Sequence, residues 1–465
     1  MNLVRRPTAV FLAAAAGGVA FSFALAWGHP VWSARWGMLW RLGLWCVCWV
    51  VAVAAALRLP RKRALVLIIG AGVALRIAAL AGPPTTSDDL YRYSWDGRVQ
   101  QAGIDPYAAA PASAQLEALR PAWLWPGPSV CAQQADPPGC TRINRPKART
   151  IYPPVAEAWF AAVYRVTGIG ARHKAWQAAG VVTELATMVV LAVALRRWER
   201  DPRWTALYAL SPFAALELVN NAHVDGLAIA LLVGALAVAA PAKADGERES
   251  ARGDVLLGLL IGAAALVKVY PAVVLLAVPC LPRARPFRSM ARASAAAAAL
   301  VLAVYLPHVL ATGTRVVGYL PGYLREERYR GGGRFLVAGL LHLPGPIVTA
   351  VALAGMLGAV AWVWWRRPPF TTGAAVLLAA MFLTTSPVQP WYAVSLLAVA
   401  AADACPWWAL VTAAGYPYFF AVVLANGHAA GVGQAAYTAA LVAMLLATRV
   451  RGRHPTPLAR AVAAA

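Results

Sequence analysis

The sequence predicts an all-α integral membrane protein, a single polytopic domain over residues 1–465 that carries one large polar loop. Two observations support this. Of the 465 residues, 60% are hydrophobic and 13% charged, whereas a soluble domain carries about 25% charged residues. The apolar residues also gather in runs close to the ~20 residues that cross a bilayer. The clearest are Thr8–Trp27, Met38–Leu57, Ala64–Gly82, Ala175–Leu195, Ser289–Thr312 and Gly345–Trp365. The first run follows "MNLVRRP" but lacks a clear small-x-small cleavage site, so it reads as span one and not as a signal peptide.

The formal charge of +23 does not point to nucleic acid, because of where the cations sit. They fall in short clusters between apolar runs: Arg5/Arg6, Arg58/Arg61/Lys62/Arg63, Arg196/Arg197/Arg200, Arg283/Arg285/Arg288, Arg366/Arg367 and Arg449/Arg451/Arg453. That is the positive-inside pattern, with arginines beside anionic headgroups. Membrane lipid is therefore an expected partner and nucleic acid is not.

Placing "MNLVRRP" in the cytoplasm orders the rest. Span one exits at "GHPVWSARWG", span two returns to "RLPRKR", and span three exits at "AGPPTTSDD". Residues 83–173 then form a large extracytoplasmic loop, and the span from about Lys174 returns to "RRWER". Trp204–Val219 exits at "NNAHVDG", and Leu227–Ala240 returns to a polar cytoplasmic linker over 241–254. Two short runs flank "VKVYP", the pattern of a tight hairpin or broken helix. Ser289–Thr312 leads to a second extracytoplasmic loop over 313–334, and five further runs bring the chain to "RVRGRHP". About twelve to fourteen spans result, with both termini cytoplasmic and every basic cluster on one side.

The loop over 83–173 holds seven of the nineteen acidic residues: Asp88, Asp89, Asp96, Asp105, Glu117, Asp136 and Glu157. In "TSDDLYRYSWDGRVQQAGIDPY", Thr86 or Ser87 can cap a helix whose first turn favours the acids. Asp88, Arg92 and Asp96 then share one face. The pair Asp88/Asp89 is thus either a cap with ion-pair partners or two adjacent carboxylates whose titration departs from normal. "RINRPKARTIYPP" adds Arg142, Arg145, Lys147 and Arg149, read as a solvated basic loop or as a phosphate site. "PPVAEAWFAAVYRVTG" reads as an interfacial helix.

Three more clusters reach the same face. "ELVNNAHVDG" holds Glu217, Asn220, Asn221, His223 and Asp225 at a turn between spans, either a polar cap or a functional site. "LVKVYP" places Lys268 alone in an apolar hairpin, where it snorkels or meets an anion. "SPVQPWY" places Gln389, Trp391 and Tyr392 at a proline-broken span end, an aromatic-belt anchor or part of a site. Cys131 and Cys140 lie in the outer loop, where an oxidising compartment favours a disulfide over two free thiols. Cys46, Cys48, Cys280 and Cys405 lie in or near apolar runs. No metal-ligand spacing is evident, and a divalent cation on the Asp pair is left open.

"TSDDLYRYSWDGRVQQAGIDPY", "RTIYPP", "NNAHVDG", "LVKVYP" and "SPVQPWY", in that order from about Thr85 to Tyr392, resemble the bacterial GT-C glycosyltransferases that use polyprenyl-phosphate sugars. The likeness is closest to the mannosyltransferase-like members, including glycosyltransferase family 87. The resemblance implies a GT-C-like bundle and an inverting hexosyltransferase that moves a sugar, with a lean toward mannose, from a lipid-linked donor to an envelope glycan or glycolipid. It implies a bacterial plasma membrane location and an active site facing outside. It implies catalytic roles for Asp88, as base, and Asp89, as its neighbour. Substrate-binding roles follow for Arg92, Tyr93, Asp96, Arg145, Lys147, Arg149, Tyr152, His223, Asp225, Lys268, Gln389, Trp391 and Tyr392. Two spans more than in many relatives precede the loop.

The rival class is a transporter or lipid flippase of envelope precursors, which also has intramembrane charges and broken helices. No inverted repeat is visible, and the acids concentrate in one loop instead of at the midplane.

Overall fold

The computed structural model describes residues 7–28, 35–126, 140–168, 170, 172–241, 247–329, 334–425 and 427–453. Among these residues the chain is helical throughout, without strands. The helices are α1 (Pro7–Ala26), α2 (Arg35–Ala56), α3 (Arg61–Ala79), α4 (Asp89–Gln101), α5 (Pro154–Thr167), α6 (His173–Arg197), α7 (Thr205–Ala209), α8 (Asp225–Val238) and α9 (Glu247–Ala265). They continue as α10 (Pro286–Thr312), α11 (Leu320–Glu326), α12 (Leu336–Gly339), α13 (Gly345–Arg366), α14 (Phe370–Thr384), α15 (Pro390–Ala402), α16 (Ala409–Val423) and α17 (Ala429–Arg453).

By length and composition, six of these segments can cross a membrane, and four shorter apolar helices accompany them. With its large lipid-type surface of exposed Leu, Val and Trp side chains, this is a multi-pass membrane protein. Each apolar run read from the sequence is helical, including the short ones. Tyr270–Cys280 is a 3-10 helix of 11 residues with Pro271 and Pro279 in it. Prolines remove α-helical donors, and the ~2.0 Å rise of a 3-10 helix stretches such a segment to about 22 Å. A run too short to span as an α-helix thereby covers most of an apolar core.

Lipid offers no hydrophobic drive for helix association, so backbone proximity carries more of the packing. Gly258 and Gly262, one turn apart on α9, lie directly on Ala293 and Ala297 of α10. A methyl group at Gly262 would come within 2.9 Å of the Ala297 Cα. Buried charges are paired. Arg76 donates to Glu184 (2.8 Å) and Tyr208 donates to the other carboxylate oxygen (2.6 Å). Both members of that ion pair have fully buried side chains. Asp403 accepts from Thr371, Thr372 and Arg200 at 2.7–2.9 Å.

Two segments differ from their expected form. The expected linker over 241–254 is helical from Glu247 onward, because α9 starts there. At its end Asp254 is fully buried, with its carboxylate 3.6 Å from both Arg283 and Arg292. The expected loop over 313–334 contains a 3-10 turn, Gly313–Val317, and α11.

Candidate active site

The loop that follows α3 is anchored before its helix begins. Asn221 accepts from the backbone amides of Thr85 and Thr86 (both 2.9 Å), and Asn220 accepts from the Thr85 hydroxyl (2.7 Å). The Asn220 amide donates to the carbonyls of Ala79 and Pro83, both at 3.1 Å. Gln177 of α6 ties the carbonyls of Gly82 (3.0 Å) and Asn220 (2.8 Å) together. These asparagines are presented by a π-helical stretch, Ala214–Asn220, in which the Asn221 amide bonds to Leu216 five residues back. Such π-turns occur mostly at functional positions. Here the extra residue brings both asparagine side chains onto the loop.

α4 then starts, with Ser87 accepting from the Asp89 amide (3.2 Å). Asp88 takes the cap position, and Asp89 opens the first turn. The Asp89 carboxylate accepts from the side-chain amide of Asn144 (2.7 Å), and its other oxygen lies 3.6 Å from His223 Nδ1. Its side chain keeps 20% of its surface open. His223 is buried and stacked on Trp391, with centroids 4.0 Å apart and planes 13° from parallel. Its Nε2 is 3.6 Å from Glu217, and neither ring nitrogen makes a hydrogen bond among the described residues. Burial pushes the imidazole down to about 3, against the pull of the Asp89 charge, so His223 is neutral.

Beside this pair lies a caged cation. The Lys268 ammonium stands 4.8 Å from the Tyr152 ring centroid, 4.9 Å from that of Tyr392, and 3.8 Å from Asp225. Asp225 also accepts from the Tyr270 hydroxyl (3.2 Å). The Asp89 charge acts on Asp225, Tyr152 and Tyr392, the groups that surround Lys268. One partly open carboxylate and one partly open ammonium therefore share a wall of aromatic rings. An ammonium over tyrosine faces is held electrostatically without losing its charge.

The structure brings together Asp89, Tyr152, His223, Asp225, Lys268, Trp391 and Tyr392. It sets the other expected residues elsewhere. Arg92 and Asp96 form a buried pair at 2.8–2.9 Å, with Arg92 also donating to the Ala148 carbonyl (3.0 Å). They join Thr150 and Glu157 in a polar core between α4 and α5. Burial, then the Asp96 charge, pushes the Glu157 carboxyl well above the usual range. Burial raises Asp96 too, against Arg92. Gly97 makes this junction possible: a methyl there would sit 2.6 Å from the Phe160 carbonyl. Tyr93 backs the group around Lys268: its ring stacks on Phe160 at 4.4 Å and meets Tyr152 edge-on at 5.2 Å, and its hydroxyl accepts from the Val224 amide (3.4 Å). Arg145, Lys147 and Arg149 are exposed. Arg145 forks onto Glu326 at 2.9 and 2.5 Å. Gln389 caps α15 by position, without a side-chain cap bond. Cys140 is disulfide-bonded, and Cys131 lies outside the described residues. No three His, Cys, Asp or Glu side chains gather to hold a metal ion among the described residues.

Three contributors escape a reading by motif. Asn144 lies inside the stretch quoted for its cations, Gln177 sits at the start of an apolar run, and Arg334 lies at the end of a loop without a motif. The only signal for Gln177 is a polar residue inside a span, a marker of a partner across helices.

A multi-pass helical bundle with a carboxylate, a caged cation and aromatic rings gathered beside its largest loop has the make-up of a membrane-embedded group-transfer enzyme. Similarity between sequences makes the class specific. The chain belongs to glycosyltransferase family 87, whose family model matches residues 150–387, and it is a membrane glycosyltransferase. No curated protein matches the chain. Among solved structures, it is similar to the archaeal oligosaccharyltransferase AglB from Archaeoglobus fulgidus in complex with an inhibitory peptide and a dolichol-phosphate. That likeness has a TM-score of 0.38 and 13% identity over 81% of this chain and 56% of that one. A second structure of the Archaeoglobus fulgidus oligosaccharyltransferase, tethered with an acceptor peptide, gives a TM-score of 0.38 and 12% identity over 81% and 55%. The chain spans a little over half the length of those proteins.

Proposed function

We propose that this glycosyltransferase moves a sugar, mannose in the leading reading, from a polyprenyl-phosphate donor to a hydroxyl of an envelope glycan or glycolipid. The site faces the outside of a bacterial plasma membrane, with both termini in the cytoplasm. The observation that carries the reading is the pairing of Asp89 with Lys268 across one aromatic wall. Transfer from a lipid phosphate needs a base for the acceptor and a cation for the leaving group, and no strong general acid, because phosphate departs as an anion.

In this mechanism the base is Asp89, in place of the Asp88 that the family resemblance implies, and Asp88 stands beside it at the cap position of α4. Asn144 holds one Asp89 oxygen and leaves the other, 3.6 Å from His223 Nδ1, to take the proton. The acceptor oxygen forms its bond to the anomeric carbon as the carbon–phosphate oxygen bond breaks. The acceptor proton passes to Asp89, and the phosphate oxygen keeps the bonding pair. The carbon has oxocarbenium character on the way, and attack opposite the phosphate inverts it. Lys268 stabilises the departing phosphate, while Trp391 and Tyr392 present apolar faces to the sugar.

The test is transfer itself. The purified full chain in lipid nanodiscs is given polyprenyl-phosphate [14C]mannose, or GDP-[14C]mannose in a parallel arm, with a membrane lipid extract as acceptor. Label moving to a new product from the lipid donor alone supports the reading. Label moving from the nucleotide sugar alone overturns the lipid-phosphate donor. ATP-independent movement of intact labelled lipid across vesicles, without a new glycosidic product, is the result the flippase rival requires.

A further inference from the structure

The segment after α10 is folded back onto the active-site loop. Gly318, at φ +57°, presses against the Thr150 carbonyl so closely that any Cβ there would overlap it. The Arg145 fork on Glu326 fastens α11 to the same loop, and Tyr319 donates to Glu326 as well (3.0 Å). Tyr323 is hydrogen-bonded to Tyr392. Further along, Arg334 is 5% exposed, and the next turn is pinned when the Leu336 amide donates to the Ser386 carbonyl (2.9 Å).

The guanidinium of Arg334 is fixed on one side only. Its Nη1 is paired with Glu327, and its carbon stands 5.4 Å from the Tyr329 ring centroid. Its Nε is buried and makes no hydrogen bond among the described residues. Its charge acts on Tyr392, the ring that also holds Lys268. A buried donor left unpaired is costly, and such a group calls for a partner, whether water, an ion or a ligand. The Nε edge of arginine is half of the fork that takes two oxygens of one phosphate. With Nη1 held by Glu327, that edge is the one left unpaired among the described residues, and Tyr392 feels both its charge and that of Lys268.

We propose that Arg334 is a phosphate ligand of the donor site, acting with Lys268 beside Tyr392, and that Glu327 is the positioning residue that aims its Nε edge. The inference rests on the lipid-phosphate reading above and adds to it a residue from the segment over 313–334. That segment then contributes directly to donor binding. A lysine in place of Arg334 keeps the charge and loses the fork, so charge and geometry can be separated.

The experiment is retention of tritiated polyprenyl phosphate, without a sugar, by the full chain in nanodiscs. Arg334→Gln is expected to weaken retention by about tenfold or more, as for loss of a charged hydrogen bond. Arg334→Lys is expected to fall between, and Glu327→Gln to weaken retention several-fold. Lys62→Gln, at the other end of α3, serves as a charge control and retains the lipid as the wild type does. Equal retention by wild type and Arg334→Gln overturns the inference while leaving the donor reading in place. Equal retention by wild type and Arg334→Lys overturns the fork, and serves if the glutamine variant does not fold. No retention by the wild type sinks the lipid-phosphate donor, and the inference with it.

Discussion

Replacing Asp89 by asparagine separates chemistry from architecture at this site. An asparagine carbonyl can still accept from Asn144 at the 2.7 Å position, and the Ser87 contact to the residue 89 amide is unchanged. Helix α4 and the loop anchors therefore stay in place. What is lost is a group able to take the acceptor proton. A positioned general base is worth about 10²- to 10⁴-fold, which at about 1.36 kcal/mol per decade is about 2.7–5.4 kcal/mol of barrier. The expected result is a kcat lower by that factor with the donor KM within about threefold, because Lys268 is untouched. Asp88→Asn is the internal comparison. One charge at a helix N-terminus is worth about 0.3–1 kcal/mol, so its rate should fall less than about tenfold. Single-turnover transfer from polyprenyl-phosphate [14C]mannose reads both. An Asp89→Asn enzyme within tenfold of wild type, or an Asp88→Asn enzyme as slow as Asp89→Asn, would refute the assignment of the base.

Three further outcomes can be checked. Glu184→Gln leaves the fully buried Arg76 without its counter-charge and should cost about 3–5 kcal/mol in unfolding experiments in detergent, whereas Arg76→Met with Glu184→Leu together should recover most of it. Folding holds the Glu157 proton more tightly than the unfolded chain does, so its contribution is full below the ordinary glutamate value of about 4.3 and is lost as pH rises toward the raised one. Glu157→Gln should thus gain on wild type in melting temperature as pH is raised from about 5 to 8; a constant difference between the two curves would argue against the raised proton affinity. Arg149 is exposed, with only a 3.5 Å contact to the Ala108 carbonyl, and Arg149→Gln should change the donor KM by less than about twofold, whereas a tenfold rise would return the basic segment to the donor site.

The bundle was legible because membrane spans announce themselves one at a time. Each needs only a run of apolar residues of a certain length, and even Tyr270–Cys280 could be seen as too short for an ordinary span. Asp89, His223, Lys268 and Trp391 were legible for a related reason: an ionisable or aromatic residue at a span end is conspicuous against its neighbours. The cations from Arg142 to Arg149 were equally conspicuous, yet Arg145, Lys147 and Arg149 are exposed, because nothing local distinguishes a solvated cation from a buried one. Arg92 and Asp96 looked like site residues and form the polar core between α4 and α5, a role set by Thr150 and Glu157, which arrive from some fifty to sixty residues further along the same loop. Asn144, Gln177 and Arg334 matter through partners 55, 95 and, for Arg334, about sixty residues away. Pairings of that kind carry no periodic trace in one sequence.

The anchoring of the Thr85–Thr86 segment by Asn220 and Asn221, across a sequence separation of 135 residues, has a consequence for biogenesis. The loop bearing Asp89 emerges from the ribosome long before the turn that fixes it, and longer still before Trp391 stacks on His223. At about 5–20 residues per second, the roughly three hundred residues between take about 15–60 s to make. For that interval the future base is on an unfinished loop with its neighbours still unmade. A chain truncated before residue 391 should therefore be inserted yet inert, and co-expressing the missing C-terminal part as a separate piece is the route by which such a fragment regains a site.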